Sequence, residues 1–237
     1  MQTHNNKINT TTRWVIRDAF GFGIAFFFIY LIYCILDSLI NSGRTFAEDI
    51  TIWKTLYIHP AALATGLGAA LLGNLISKRH AFVFAIAGFF GYSLVSLAWH
   101  FFVAVPSTSP QTDFNVLVAP IIQQGLTGIV IGIAIGVVQR GWKNAGWYAI
   151  AGAFGFIIGW FIDRIVAEII LIRSPYHGYI ARVVVGDPWY YLYWLVPAIL
   201  FGGVIGLCLG VVTFLTRVKK SKEEPRDICG TLPARTA

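Results

Sequence analysis

Residues 128–136 read Gly128-Ile-Val-Ile-Gly132-Ile-Ala-Ile-Gly136, three glycines four apart with only Ile, Val and Ala between them. Wound into a helix, positions i, i+4 and i+8 lie along one narrow stripe. In water such a helix is poor, because each interior Gly costs about 1 kcal/mol relative to Ala. In lipid the N–H and C=O groups have no other partner, so the helix forms. Its bare stripe then lets a neighbouring helix approach backbone to backbone. This stretch therefore predicts a membrane helix whose packing face is glycine.

The composition agrees. The chain has 237 residues, 57% hydrophobic and 12% charged, with mean hydropathy +0.69. A soluble domain carries about 25% charged residues. The net charge of +7 does not indicate nucleic acid, because the basic residues sit at the ends of apolar runs rather than along one face. They are expected to set topology and to meet anionic lipid headgroups. Three cysteines, two of them (Cys34 and Cys208) inside apolar runs, make no disulfide framework.

Working outward, six apolar runs are long enough to cross a hydrocarbon core of about 30 Å. They are Ala19–Ile40, Ile58–Ser77, Ala81–Val105, Val116–Val138, Ala145–Ile172 and Trp189–Leu215. The expected fold is an all-α integral membrane protein, with a cytoplasmic segment over 1–17, a six-helix domain over 18–216 and a disordered basic tail over 217–237. Residues 1–13 are polar and read as disordered, and the first membrane helix is expected to end at Asp37 and Ser38. Between the first two runs, Thr45-Phe-Ala-Glu48 has capping-box spacing, and Phe46, Ile50, Trp53 and Tyr57 recur helically, which predicts a short amphipathic helix at the interface. Residues 106–115 and 173–188 read as irregular loops.

Lys and Arg set the orientation. Lys7, Arg13, Arg17, Lys78, Arg79, Arg140, Lys143 and six in the tail share a side with the N-terminus, thirteen in all. Only Arg44, Lys54, Arg173 and Arg182 fall opposite, with Arg164 in a membrane run. This bias places both termini in the cytoplasm of a prokaryotic inner membrane. Tyr176, Tyr179, Trp189, Tyr190, Tyr191, Tyr193 and Trp194 then form an aromatic belt outside.

The even-numbered runs resemble one another. Pro60 is followed at fixed offsets by Thr65, Ala69 and Gly73, and Pro197 at the same offsets by Gly202, Gly206 and Gly210. Pro120 precedes Gly128, Gly132 and Gly136 with about one extra turn. Among the odd runs, Ala85-Ile-Ala-Gly88-Phe-Phe-Gly91 matches Ala149-Ile-Ala-Gly152-Ala-Phe-Gly155. Three parallel two-helix repeats about the membrane normal are expected.

Ionisable groups inside hydrocarbon cost about 2.5–3.5 kcal/mol and point to function. The fifth run holds Asp163, Arg164 and Glu168, and the repeat aligns His100 with Arg164. At the same outer level come His59, Gln123 and Gln124, with Asp37 beside them. Arg164 and Glu168, four apart, are expected either to pair as a structural clamp or to line, with Gln123, Gln124 and His59, a polar solute pocket open to the outside. Asp163 and His100 are expected to contact a solute. His59, His100 and His177 lack metal-ligand spacing, and no catalytic, nucleotide or cofactor motif occurs, so neither enzyme chemistry nor a metal is expected. In size and helix count the chain is similar to the substrate-binding subunits of vitamin transporters powered by a separate ATPase. Two functions follow. The first is a small-solute binding or transport component with a polar site in the outer half of the membrane. The second is a non-catalytic accessory subunit, whose stripes meet membrane partners or a second copy of the chain.

Overall fold

The computed structural model describes residues 2–41, 43–45, 60–74, 77–99, 118–179 and 182–223. These form six helices: α1 Gln2–Asn41, α2 Pro60–Asn74, α3 Lys78–Trp99, α4 Ala119–Arg140, α5 Trp142–Arg173 and α6 Pro188–Glu223. Among the described residues there is no strand, only an isolated antiparallel bridge between Thr45 and Val184. The interfacial helix expected near residues 46–57 and the loop 106–115 lie outside the described residues.

Four helices are long and apolar enough to cross a membrane, over Val15–Asn41, Lys78–Ala98, Ala119–Gln139 and Pro188–Thr216. They answer to the first, third, fourth and sixth expected runs. The second is described as the 15-residue α2, about 22 Å at 1.5 Å per residue. The fifth, α5, is 32 residues long but carries Asp163, Arg164 and Glu168.

Both chain ends are more helical than expected. Helix α1 begins at Gln2 rather than after a disordered segment, since no Gly or Pro interrupts the chain before Gly21. At the other end α6 runs past Arg217 to Glu223.

The helices close into a ring: α1 packs on α2 and α6, and each of α2 to α5 packs on the next. Neighbours run antiparallel. A Cβ placed on Gly73 would lie 2.6 Å from the His80 carbonyl oxygen of α3, and one on Gly88 2.8 Å from that of Thr65. Gly128 and Gly152 would each strike the other's carbonyl across the α4–α5 contact, and Gly132 would strike that of Tyr148. Gly202 and Gly206 face the α1 carbonyls of Phe22 and Asp18. Gly73 of α2 and the stripes of α4 and α6 therefore meet α3, α5 and α1 within this chain, and glycines this close leave no room for a side chain.

Two tight turns lie at one end of the ring. Gly141, at φ +74°, joins α4 directly to α5, in a conformation an L side chain rarely adopts. Ser77 caps α3, its Oγ accepting the His80 N–H at 3.3 Å. Lys78, Arg79, Arg140 and Lys143 lie at this end, as do the start of α1 and the end of α6.

The ring is filled rather than hollow. Phe26 and Phe156 both meet Phe201 edge-on, at 5.2 and 5.7 Å between centroids. Tyr92 tilts against Phe156 at 6.4 Å. Facing out, Trp147, Ile150, Phe154, Ile158, Phe161, Ile165, Ile169 and Ile172 make one exposed stripe along α5, the pattern of a helix whose outer face meets hydrocarbon.

Candidate functional site

The polar groups of interest collect beyond this aromatic layer, toward the end of the ring opposite the basic turns. Helix α1 carries Tyr30 one turn past Phe26, and Tyr30 is 8% exposed. Helix α3 brings Tyr92, 5% exposed, and Ser96, whose Oγ accepts the Gln123 amide of α4 at 3.4 Å. The Tyr92 hydroxyl hydrogen-bonds Gln124, and Tyr92 also lies within electrostatic range of Asp163 on α5. Tyr30 and Tyr193 are within the same range of Asp163. Tyr30 further packs on Trp194 of α6, their ring centroids 6.2 Å apart. Asp163 is thus half-buried on the inner face of α5, about 200° around the helix from Phe161 on its exposed stripe.

Of the residues expected from the sequence, Asp163, Gln123 and Gln124 come to this interior cluster. Arg164 and Glu168 reach only its edge: both are exposed, act electrostatically on Tyr193 and, although four apart, make no ion pair with each other. The expected clamp is therefore corrected. Arg164 lies over the Trp160 ring instead, 5.8 Å from its centroid, and Glu168 lies close to the exposed stripe. With no ion pair between them, the effects of Arg164→Leu and Glu168→Leu on stability should add without coupling. Thermal melting of each single variant and of the double variant in detergent checks this. A loss of several kcal/mol in one single variant, recovered in the double, would restore the clamp. His59 and His100 lie outside the described residues.

Sequence reasoning missed Tyr30 and Tyr92, which read as ordinary members of apolar runs; a hydroxyl in mid-run was the available signal. It also misplaced part of the aromatic belt. Tyr190 is buried, and Trp194 packs inward against Tyr30 and Tyr33. Asp37 does not end α1 but is buried at 2% exposure. Its Oδ1 accepts the Asn41 amide at 2.9 Å and its Oδ2 accepts the Tyr190 hydroxyl. With both oxygens satisfied inside the fold, the carboxylate no longer needs water, so the helix continues. Beside it Tyr191 donates to Ser38 at 2.9 Å.

Residues 183–185 cover this end. Val183 and Val185 are buried against Tyr33, Cys34, Leu171 and Tyr190. The Val185 N–H donates to the Arg44 carbonyl at 3.0 Å. Within the irregular stretch read from the sequence, the part around Val183 and Val185 is thus packed.

Among the described residues no three His, Cys, Asp or Glu come together to hold a metal. Two acceptors in the interior stay open. The Gln124 Oε1 is buried without a hydrogen-bond partner, and no hydrogen bond or ion pair among the described residues reaches the Asp163 carboxylate. Buried polar groups in folded proteins are nearly always paired, so these two acceptors stand out among the described residues. Comparison with known proteins adds no assignment: no family model, curated protein or solved structure matches the chain.

Proposed function

We propose that this chain is a polytopic membrane protein that binds, or carries, a small solute at the cluster around Asp163. The observation that carries the reading is the pair of open acceptors, Asp163 and Gln124, set among Tyr30, Tyr92 and Tyr193 on one side of a closed aromatic layer. The aromatic layer closes the site on the side of the basic turns. A layer of this kind is what a transporter must open and a receptor must keep shut. In this reading all six helices span the bilayer, as three parallel two-helix repeats. The glycine stripes support the repeat, because each even helix meets the following odd helix, or α1 in the case of α6, through equivalent positions. Gly132 faces Tyr148 and Gly206 faces Asp18; Ala149 and Ala19 follow those two residues. The basic turns then face the cytoplasm of a prokaryotic inner membrane, with both termini inside and the polar site in the outer half.

The topology is checked by labelling with an impermeant thiol reagent in whole cells. Thr108→Cys should react, and Cys229 should not; the reverse pattern would invert the orientation. The solute site is checked by melting the purified protein against a set of small solutes. A ligand-dependent rise in a monomer, lost on Asp163→Asn or His100→Ala, is the expected result. Binding unchanged in both variants would overturn the site.

An accessory-subunit role is the second reading, favoured by one feature. A groove of about 510 Å³ runs between α1 and α6, lined by Phe20, Gly23, Phe27, Leu200, Gly203 and Leu207 among others. Gly23 and Gly203 leave it shallow-walled, as a partner helix requires. Stable co-purification of another membrane protein in mild detergent would favour this reading over the first.

A further inference from the structure

The character of the open groups says what kind of solute would fit, and this inference rests on the solute-site reading above. Both are acceptors: a carboxylate accepts only, and Gln124 offers its carbonyl oxygen. The neighbouring carboxylate, Asp37, is already satisfied by Asn41 and Tyr190. Among the described residues Arg164 is the cation that acts electrostatically on Asp163; it is exposed, lies over the Trp160 ring and forms no ion pair with Asp163. Among the described residues the Asp163 carboxylate therefore has neither a hydrogen bond nor an ion pair to answer its charge, only the field of Arg164. Around it stand aromatic rings. Tyr30, Tyr92 and Tyr193 are within electrostatic range of Asp163, and Trp160, half-buried against the core, lies three residues before it on the same helix. Ring faces carry partial negative charge and attract a desolvated cation.

We propose that the site takes a small organic cation bearing N–H groups, a protonated primary or secondary amine. Its ammonium lies against the Asp163 carboxylate and donates to Gln124 Oε1, and its hydrocarbon part lies on the surrounding rings. An anion is excluded because it would meet Asp163 in a low-dielectric interior. A neutral alcohol can donate a hydrogen bond but leaves the carboxylate charge uncompensated. A quaternary ammonium neutralises Asp163 but has no proton for Gln124.

The test uses the full chain in lipid nanodiscs with four probes: n-butylammonium, tetramethylammonium, n-butanol and butyrate. Tryptophan fluorescence and thermal melting are the readouts, with empty nanodiscs as the control for partitioning. Saturable binding of n-butylammonium, about tenfold or more tighter than n-butanol, is expected, as a charge-assisted hydrogen bond in a dry site implies. Asp163→Asn should erase that preference, and Asp163→Glu should keep it. Equal n-butylammonium affinity in wild type and Asp163→Asn would overturn the proposal. Equal affinity for tetramethylammonium would overturn the part given to Gln124. If butyrate or n-butanol binds saturably and loses binding in Gln124→Ala while the amine does not bind, the solute site stands and the cation falls. No saturable binding by any of the four, in wild type or variants, would overturn both.

Discussion

Gly132→Leu should prevent this chain from reaching its native packing. A Cβ alone at that position would strike the Tyr148 carbonyl, and the next contacts are Tyr148 C and the Ala149 Cα at 2.9 Å, all backbone. Ordinary overpacking costs about 1–3 kcal/mol because side chains give way. Here the obstacle is main chain inside a helix, which cannot give way without breaking its own hydrogen bonds in a setting that offers no substitute. The effect should therefore exceed that range. Thermal melting in detergent reads it directly, with Gly146→Leu as the control, since a Cβ on Gly146 meets nothing within 4 Å. A wild-type melt for Gly132→Leu would mean that α4 and α5 do not approach as described. A large loss for Gly146→Leu would mean that the stripe has no special status.

Tyr190→Phe should produce the second large effect. Asp37 and Tyr190 are 2% and 1% exposed, and the hydroxyl donates to Asp37 Oδ2. Deleting it removes a hydrogen bond to a charged group and strands one carboxylate oxygen in the interior, a loss of about 1.5–3 kcal/mol. The same network anchors α6 to α1 beneath residues 183–185, where Val183 and Val185 pack on Tyr190. Loosening it should also make that segment easier to cleave by protease. Adding Asp37→Asn to Tyr190→Phe should recover part of the loss, because a neutral amide is cheaper to leave half-satisfied than a charge. A double variant as unstable as the sum of the singles would mean that Asp37 and Tyr190 are not coupled.

Residues whose reading failed have one thing in common. Arg164 and Glu168 are four apart on a helix, a spacing that permits a pair but does not decide whether those groups face the interior. A sequence records the angle between two side chains on one helix, not the direction in which the helix presents them. Once α5 is seated against α4 and α6, Asp163 is on the inner face and Glu168 is close to the outer stripe. Tyr190 and Trp194 failed likewise. A run such as Trp189-Tyr-Tyr-Leu-Tyr-Trp194 has the composition of an interfacial belt, but on a helix its members point in different directions. Those aimed at α1 are buried against it.

The sequence by itself determined that this is a helical chain with long apolar helices, and that Gly128, Gly132 and Gly136 form a face. Both are consequences of local pattern: hydropathy over about 20 residues and a four-residue recurrence of small side chains carry that information without knowledge of any neighbour. The bundle's interior was decided only by tertiary structure. Tyr30, Tyr92, Gln124 and Asp163 come from four different helices, and nothing in their spacing along the chain relates them. They meet because a closed ring of antiparallel helices brings one level of each helix to a common axis. The glycine approaches set how deeply each helix sits, and so which side chains share that level.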